Sequence, residues 1–443
     1  MTGGRHGWPF GACVDDLQKF GYTEEEYFLS GNAVRYRPTS ALTFDGRWSV
    51  RADSAAPFRT RVLVRRPLDP SRFSGLVVVE WANVSAGYEI SFAVPPSLYS
   101  GHAYVAVSTQ PHGVHGFPSR PEGLTAWDPP RYGRLLVSDD AVGYDIFTQA
   151  ARLLRAPDGS PLLGGLRARQ LIGVGASQSG TRILAYLNAV QPIEQVFDAF
   201  MPLICAGRSA DFEPEAAHPD TGAGARGHSR AVPVRVRDDV STRTLVLNTE
   251  TEAAEYAPLR QPDSDVICSW EVAGASHGPA PQLEAVNAIV TRDGLTPPRW
   301  SAGRPSEVPW LPTFDAAVGH VHRWITDGLA PPTQPPLAVR TDVTLLRDEY
   351  GNARGGIRLP ELEVPTATYR GSDTGAELAG STTPFTADTL TQLYPTHRHY
   401  VEKVRAAAAA AMDAGVILPR RAEEYVRQAE RAPIPPGADT LSR

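Results

Sequence analysis

The sequence predicts an α/β fold: a mostly parallel central sheet flanked by helices, with lid insertions and a C-terminal helical extension. Three observations lead there. From Phe73 onward short β-branched runs alternate with helical stretches, the pattern of parallel strands joined by crossover helices. The polar candidates of this region follow the C-terminal ends of those runs, the edge at which open parallel sheets bind ligands. The composition, 42% hydrophobic and 21% charged, belongs to a chain that buries a sizeable core rather than a disordered one.

Taken in order, Leu76–Trp81 and Ala103–Ser108 read as buried strands, each followed by a polar loop. Ser138-Asp139-Asp140 is a helix start with acidic first-turn residues, and Ala141 to Leu154 carries apolar positions at helical spacing. Leu171–Val174 is a third strand that passes through Gly175-Ala176-Ser177-Gln178-Ser179-Gly180 into a helix over Thr181–Val190. Phe197–Ile204, Arg243–Leu247 and Ser269–Val272 complete the strand set. Thr313–Ile325 reads as a helix, and two more are expected near 386–414 and 421–432, with Gly415 as a stop.

A length of 443 residues is a prior of about three domains, but the alternation is better read as one catalytic core over 61–330. Residues 1–60 are then an N-terminal lead and 331–443 an extension, both packing on the core. Residues 206–240 and 279–310 lack clean periodicity and are rich in Pro, Gly, Ala and Arg, which suits lids or pocket walls.

The net charge of -6 supplies no basic field for a phosphate backbone, so nucleic acid is not an expected partner. Cys13, Cys205 and Cys268 are odd in number and lack a CxxC spacing, which supports neither a disulfide framework nor a thiolate zinc site. His320 with His322, and His397 with His399, are two apart on predicted helices and so face opposite ways; His112 with His115 is a weak loop pair. No metal or organic cofactor is expected. The N-terminus has no apolar core of a signal peptide and no run reaches 18 apolar residues, so no membrane association and a cytoplasmic location are expected. Oligomeric state is not legible.

The chemistry centres on Gly175-Ala176-Ser177-Gln178-Ser179. A nucleophile on a sharp strand-to-helix turn needs small neighbours two residues away on each side, and Gly175 and Ser179 provide them. Ser177 is then lifted clear of the sheet beside the N–H groups of a helix start. Ser179 is the alternative nucleophile, but its flanks would be Ser177 and Thr181, and a plain Gly/Ser turn is the non-catalytic reading. Serine needs a base and the base an orienting acid. His277 follows the last strand in Glu271-Val272-Ala273-Gly274-Ala275-Ser276, whose small residues let the ring turn back. The acid is expected after the preceding strand, in Asn248-Thr249-Glu250-Thr251-Glu252: Glu252 first, Glu250 next, with Asp211 if the acid sits one strand earlier. For the oxyanion, the backbone N–H groups of Gln178 and Val84 are the expected donors, with Asn83 and Ser85 as neighbouring candidates; an ordinary Asx turn is the alternative reading of Asn83-Val84-Ser85.

The order Ser177, Glu252, His277 resembles that of α/β-hydrolases. More narrowly, the chain resembles a bacterial family of esterase-like α/β-hydrolase-domain proteins. The resemblance rests on Val79–Ser85, Gly175–Gly180, Arg260–Asp265, Trp270–His277 and Gly351-Asn352-Ala353-Arg354-Gly355-Gly356-Ile357-Arg358-Leu359-Pro360, which together span most of the chain after residue 20. It implies the α/β-hydrolase fold and esterase-type chemistry without naming a substrate. Similar proteins often carry Asp where Glu252 stands. The expected activity is a serine hydrolase acting on a small-molecule carboxylic ester or lactone. The same triad is compatible with a biosynthetic acyltransferase or cyclase, and the fold with a non-catalytic ligand-binding protein.

Overall fold

In the computed structural model, residues 4–92, 94, 96–213, 231–298, 303–372 and 378–437 are described. Eight strands form one sheet: β1 (Tyr22–Pro38), β2 (Val50–Pro67), β3 (Leu76–Trp81), β4 (Ala103–Val107), β5 (Gln170–Ala176), β6 (Ala199–Leu203), β7 (Arg243–Thr249) and β8 (Ile267–Val272). Their order is β1-β2-β4-β3-β5-β6-β7-β8. β3 runs parallel to both β4 and β5, and β5 parallel to β6, whereas β2 is antiparallel to β1 and β4. This is the mostly parallel sheet that the strand pattern predicts.

The chain forms two compact units. The first comprises Met1–Val246, Ser264–Ile267 and Ala285–Arg299; the second comprises Leu247–Asp263, Cys268–Glu284 and Trp300–Arg443.

In the first unit every side chain of β3 is buried, as the run Leu-Val-Val-Val-Glu-Trp demands of a strand covered on both faces. Its one carboxylate, Glu80, is tolerated because Oε1 accepts from Phe92 N at 2.8 Å and Oε2 from the Tyr104 hydroxyl. The helix expected after Ser138 begins as a short 3-10 turn, Asp140–Val142, capped by the Asp139 carboxylate, which accepts from Ala141 N; it continues as α1 (Gly143–Leu154). The helix after β5, α2, spans Gln178–Ala185 and ends in a π turn, Tyr186–Val190.

The largest departure from the sequence reading lies in the N-terminal lead, where β1 and β2 pair along almost their whole length. Their charges hide the strand period. Glu24 and Arg65 are direct cross-strand partners joined at 2.7 Å, and Arg61 is buried between Glu26 and Glu89. Charged residues that neutralise one another occupy positions where an apolar alternation is normally sought.

In the second unit Leu311–Asp327 forms the expected helix. The helical stretch expected near 386–414 is two helices, Ala387–Leu393 and His397–Asp413, interrupted at Tyr394-Pro395 and restarted by Thr396, whose hydroxyl caps His399 N. Gly415, with φ 74°, ends the second. Pro419–Arg431 follows. Of the segments expected as lids, 214–230 and 299–302 lie outside the described residues. Within the rest, Arg208–Ser209 pairs with Val232–Pro233, and Ala280–Arg292 is a helix that the periodicity does not predict.

Candidate active site

In the first unit, β5 delivers Ser177 to a sharp turn before α2. Ser177 is half-buried, with φ 59° and ψ -121°, a left-handed conformation that costs a non-glycine residue about 1–3 kcal/mol and that persists only where the surroundings impose it. They do so here. Ser177 N donates to Leu203 O at 2.9 Å, fastening the turn to the end of β6, and Thr181 N donates to Ser177 O at 3.1 Å. The need for small neighbours is literal. A Cβ on Gly175 would stand 2.6 Å from Ser179 O and 2.8 Å from Ile183 Cγ1, and one on Gly180 would stand 2.8 Å from Leu203 O. Ser179 is fully buried, and its hydroxyl is used within the turn, accepting from Ala176 N at 2.9 Å and donating to Ala176 O at 3.0 Å.

The loop after β3 is an Asx turn: Asn83 Oδ1 accepts from Ser85 N and from the Ser85 hydroxyl. Asn83 N donates to Ile90 O, and Asn83 Nδ2 reaches across to Ala176 O at 2.8 Å, tying this loop to the residue before Ser177. Two of the three candidate donors, Asn83 N and Ser85 N, are thereby consumed. Val84 N is not, and neither is Gln178 N at the uncapped start of α2: among the described residues neither donates a hydrogen bond, although both residues are buried. Buried backbone donors without partners are costly and rare. Here two of them occur on the loops that follow adjacent parallel strands, and one of them is on the residue next to Ser177.

In the second unit, the loops after β7 and β8 bring Glu252 and His277 together. Glu252 Oε1 lies 2.7 Å from His277 Nδ1, while Oε2 accepts from Thr249 N at 2.9 Å and from the Thr249 hydroxyl at 2.6 Å. Burial alone would raise the Glu252 carboxyl, but the hydrogen bond and charge of His277 and the Thr249 donors outweigh it and hold the group below its ordinary value. A carboxylate that accepts from Nδ1 fixes the proton there and leaves Nε2 as the basic nitrogen. The His277 backbone is held as well: its N donates to Thr251 Oγ1 at 2.9 Å, its O accepts from Trp310 Nε1 at 3.3 Å, and the Thr251 hydroxyl donates to Gly371 O.

Glu250, the second-choice acid, has a different set of partners. Its Oε1 accepts from Arg347 at 2.8 Å and its Oε2 from Gly274 N at 2.9 Å. Burial pushes this carboxyl up, against the opposing charge and hydrogen bonds of Arg347. Asp211, the third choice, uses its carboxylate to accept from Glu213 N in its own turn. Two of the other histidines named above serve the scaffold: His320 Nε2 meets Gly415 O at 2.8 Å, and both ring nitrogens of His397 meet backbone carbonyls. Thr249, Thr251 and Arg347 are not singled out by the sequence. The two threonines alternate with the glutamates in Asn248–Glu252, a polar spacing that marks hydroxyls able to hold carboxylates.

A family model described as an alpha/beta hydrolase domain matches residues 1–427. The chain belongs to the alpha/beta hydrolase family. Among solved structures, the chain is similar to a ferulic acid esterase from Streptomyces cinnamoneus, at 15% identity over 72% of this chain and 92% of that one, with a TM-score of 0.35. It is also similar to XC6422 from Xanthomonas campestris, described as an α/β serine hydrolase without lid, at 12% identity over 60% of this chain and 90% of that one, with a TM-score of 0.29. A search of curated proteins gives no match. No helix among the described residues is long and apolar enough to cross a membrane.

Proposed function

We propose that the protein is a serine hydrolase that cleaves a carboxylic ester or lactone through an acyl-enzyme on Ser177. The observation that carries this reading is the Ser177 turn, a strained nucleophile position flanked by two buried, unused backbone donors, Gln178 N–H and Val84 N–H. The Glu252–His277 pair supplies the matching base.

In the proposed cycle His277 Nε2 takes the proton of the Ser177 hydroxyl as Oγ attacks the ester carbonyl carbon. Glu252 stabilises the imidazolium that results. The carbonyl oxygen becomes an oxyanion between the Gln178 and Val84 N–H groups, an interaction worth about 2.7–4 kcal/mol per donor where it has been measured in other enzymes. The C–O bond to the alcohol breaks, the alkoxide takes the proton from His277, and the acyl group remains on Ser177. Water then repeats the sequence: His277 removes its proton, the hydroxide adds to the acyl carbon, and Ser177 Oγ leaves reprotonated.

Replacement of Ser177 by alanine tests the proposal. Hydrolysis of p-nitrophenyl short-chain esters is expected to fall by at least about 10³-fold. Turnover at the wild-type rate would overturn the mechanism.

A further inference from the structure

In the second unit a second carboxylate sits against the loop that carries His277. The Glu250 side chain has no exposed surface, and a buried ion pair is weak evidence of a gain in stability, because desolvation offsets the attraction. Glu250 grips two consecutive residues of the loop: Oε2 accepts from Gly274 N at 2.9 Å, and Glu250 N donates to Ala275 O at 3.1 Å. Oε1 accepts from Arg347 Nη2 at 2.8 Å, and Arg347 is tied down in turn by Nη1, which donates to Gly351 O at 3.1 Å.

The loop needs such a grip. Gly274 has φ 70°, a left-handed turn that glycine adopts without steric cost but with the greatest backbone freedom to lose, so the turn is fixed by its partners. Gly371 approaches so closely that a Cβ on it would stand 2.0 Å from Ala275 O and 2.5 Å from Glu250 Cβ. Glu250 and Ala275 are thereby packed together as well as bonded. His277 follows two residues after Ala275, and its ring is held by Glu252, two residues after Glu250. A single three-residue segment therefore fixes both the imidazole and the backbone that leads to it.

The clamp requires an acid. A carboxylate accepts at both oxygens, whereas an amide has one accepting oxygen and one donating NH₂. Whichever way a glutamine at 250 turned, its NH₂ would face a donor, either the Arg347 guanidinium or Gly274 N–H. Bonds to a charged donor are the stronger ones, so the guanidinium takes the oxygen and Gly274 N–H loses its partner.

We propose that Glu250 is a positioning residue for the general base: it acts through Gly274 and Ala275 to fix the orientation of His277, and Arg347 holds its carboxylate in place. This rests on the reading of His277 as the base. The role requires no contact between Glu250 and substrate.

The experiment measures kcat and KM for p-nitrophenyl acetate at a temperature where circular dichroism shows each protein folded. Glu250→Gln is expected to lower kcat by about 10²-fold with KM changed by less than about twofold. In Glu250→Gln/Arg347→Met the competing guanidinium is gone, the amide oxygen can turn to Gly274 N–H, and kcat is expected to recover by about tenfold. Glu250→Met/Arg347→Met, similar in size and equally neutral but without an acceptor, is expected to keep the low kcat. Recovery with glutamine and not with methionine is what a merely structural role would not produce, and the two double variants carry the test alone if Glu250→Gln does not fold. Equal kcat in the two double variants would overturn the positioning role. His277→Ala separates this outcome from a failure of the mechanism. If that variant turns the ester over at the wild-type rate, His277 is not the base and the inference falls with it; if it is inactive while every variant at 250 keeps the wild-type kcat, only the positioning role falls.

Discussion

Glu252 holds His277 with one carboxylate oxygen and Thr249 with the other: Oε1 is 2.7 Å from Nδ1, and Oε2 is 2.6 Å from the threonine hydroxyl. The acid is therefore anchored to its own loop independently of the imidazole that it orients. Glu252→Gln is expected to keep the fold and lower kcat by about 10³–10⁴-fold, since an amide no longer enforces the Nδ1–H tautomer or stabilises the imidazolium. Ester turnover measured at saturating substrate checks this.

The same pair predicts a pH effect on stability. The folded Glu252 carboxyl lies below its ordinary value of 4.5, so folding favours the ionised form. Its contribution is fully present above about pH 4.5 and is lost as pH falls through the lower folded value. Urea unfolding of the wild type and Glu252→Gln should therefore differ most near neutrality and converge in acid.

Glu250 and Arg347 predict a different pH response. Removing Arg347 leaves a fully buried carboxylate unpaired, so Arg347→Met is expected to lose about 3–5 kcal/mol of stability at neutral pH. Adding Glu250→Gln should return much of it. Because the folded Glu250 carboxyl already lies above its ordinary value and would rise further without Arg347, the Arg347→Met deficit is largest above that raised value and shrinks as pH falls toward 4.5, where the proton neutralises the group. Denaturant midpoints across this range read the effect; a deficit independent of pH would show that Arg347 acts through packing alone.

At the turn itself, Gly180→Ala would place a Cβ 2.8 Å from Leu203 O, a backbone atom that cannot swing aside. A stability loss of about 1–3 kcal/mol is expected, together with slower fluorophosphonate labelling of Ser177. Asn83→Leu removes the bond to Ala176 O without touching Val84 directly. Because small displacements at a reacting centre cost about 10²-fold, kcat should fall by about that factor, with KM nearly unchanged.

The sequence makes the parallel strands legible because β3, β4 and β5 are β-branched runs buried on both faces, and their ends carry the polar residues that matter. It makes the Ser177 turn legible because the packing constraint at Gly175 is written as an absent side chain. The N-terminal hairpin is not legible: Glu24, Glu26, Arg61 and Arg65 are buried by mutual neutralisation, which no hydrophobic period records. The different surroundings of Glu250 and Glu252 are likewise made by partners distant in the chain. Arg347 claims Glu250, nearly a hundred residues ahead of it, and spacing within Asn248–Glu252 carries no trace of that claim.

The hold of the C-terminal region on the base has a consequence for the order of events on the ribosome. Gly371 O receives the Thr251 hydroxyl, Leu378 O receives Gly278 N, and Ile357 bridges Val272. A nascent chain of 350 residues already contains Ser177, Glu252 and His277, yet lacks all three of these anchors. The loops that carry Glu252 and His277 can therefore gain these three anchors only after residues 357–378 have been synthesised.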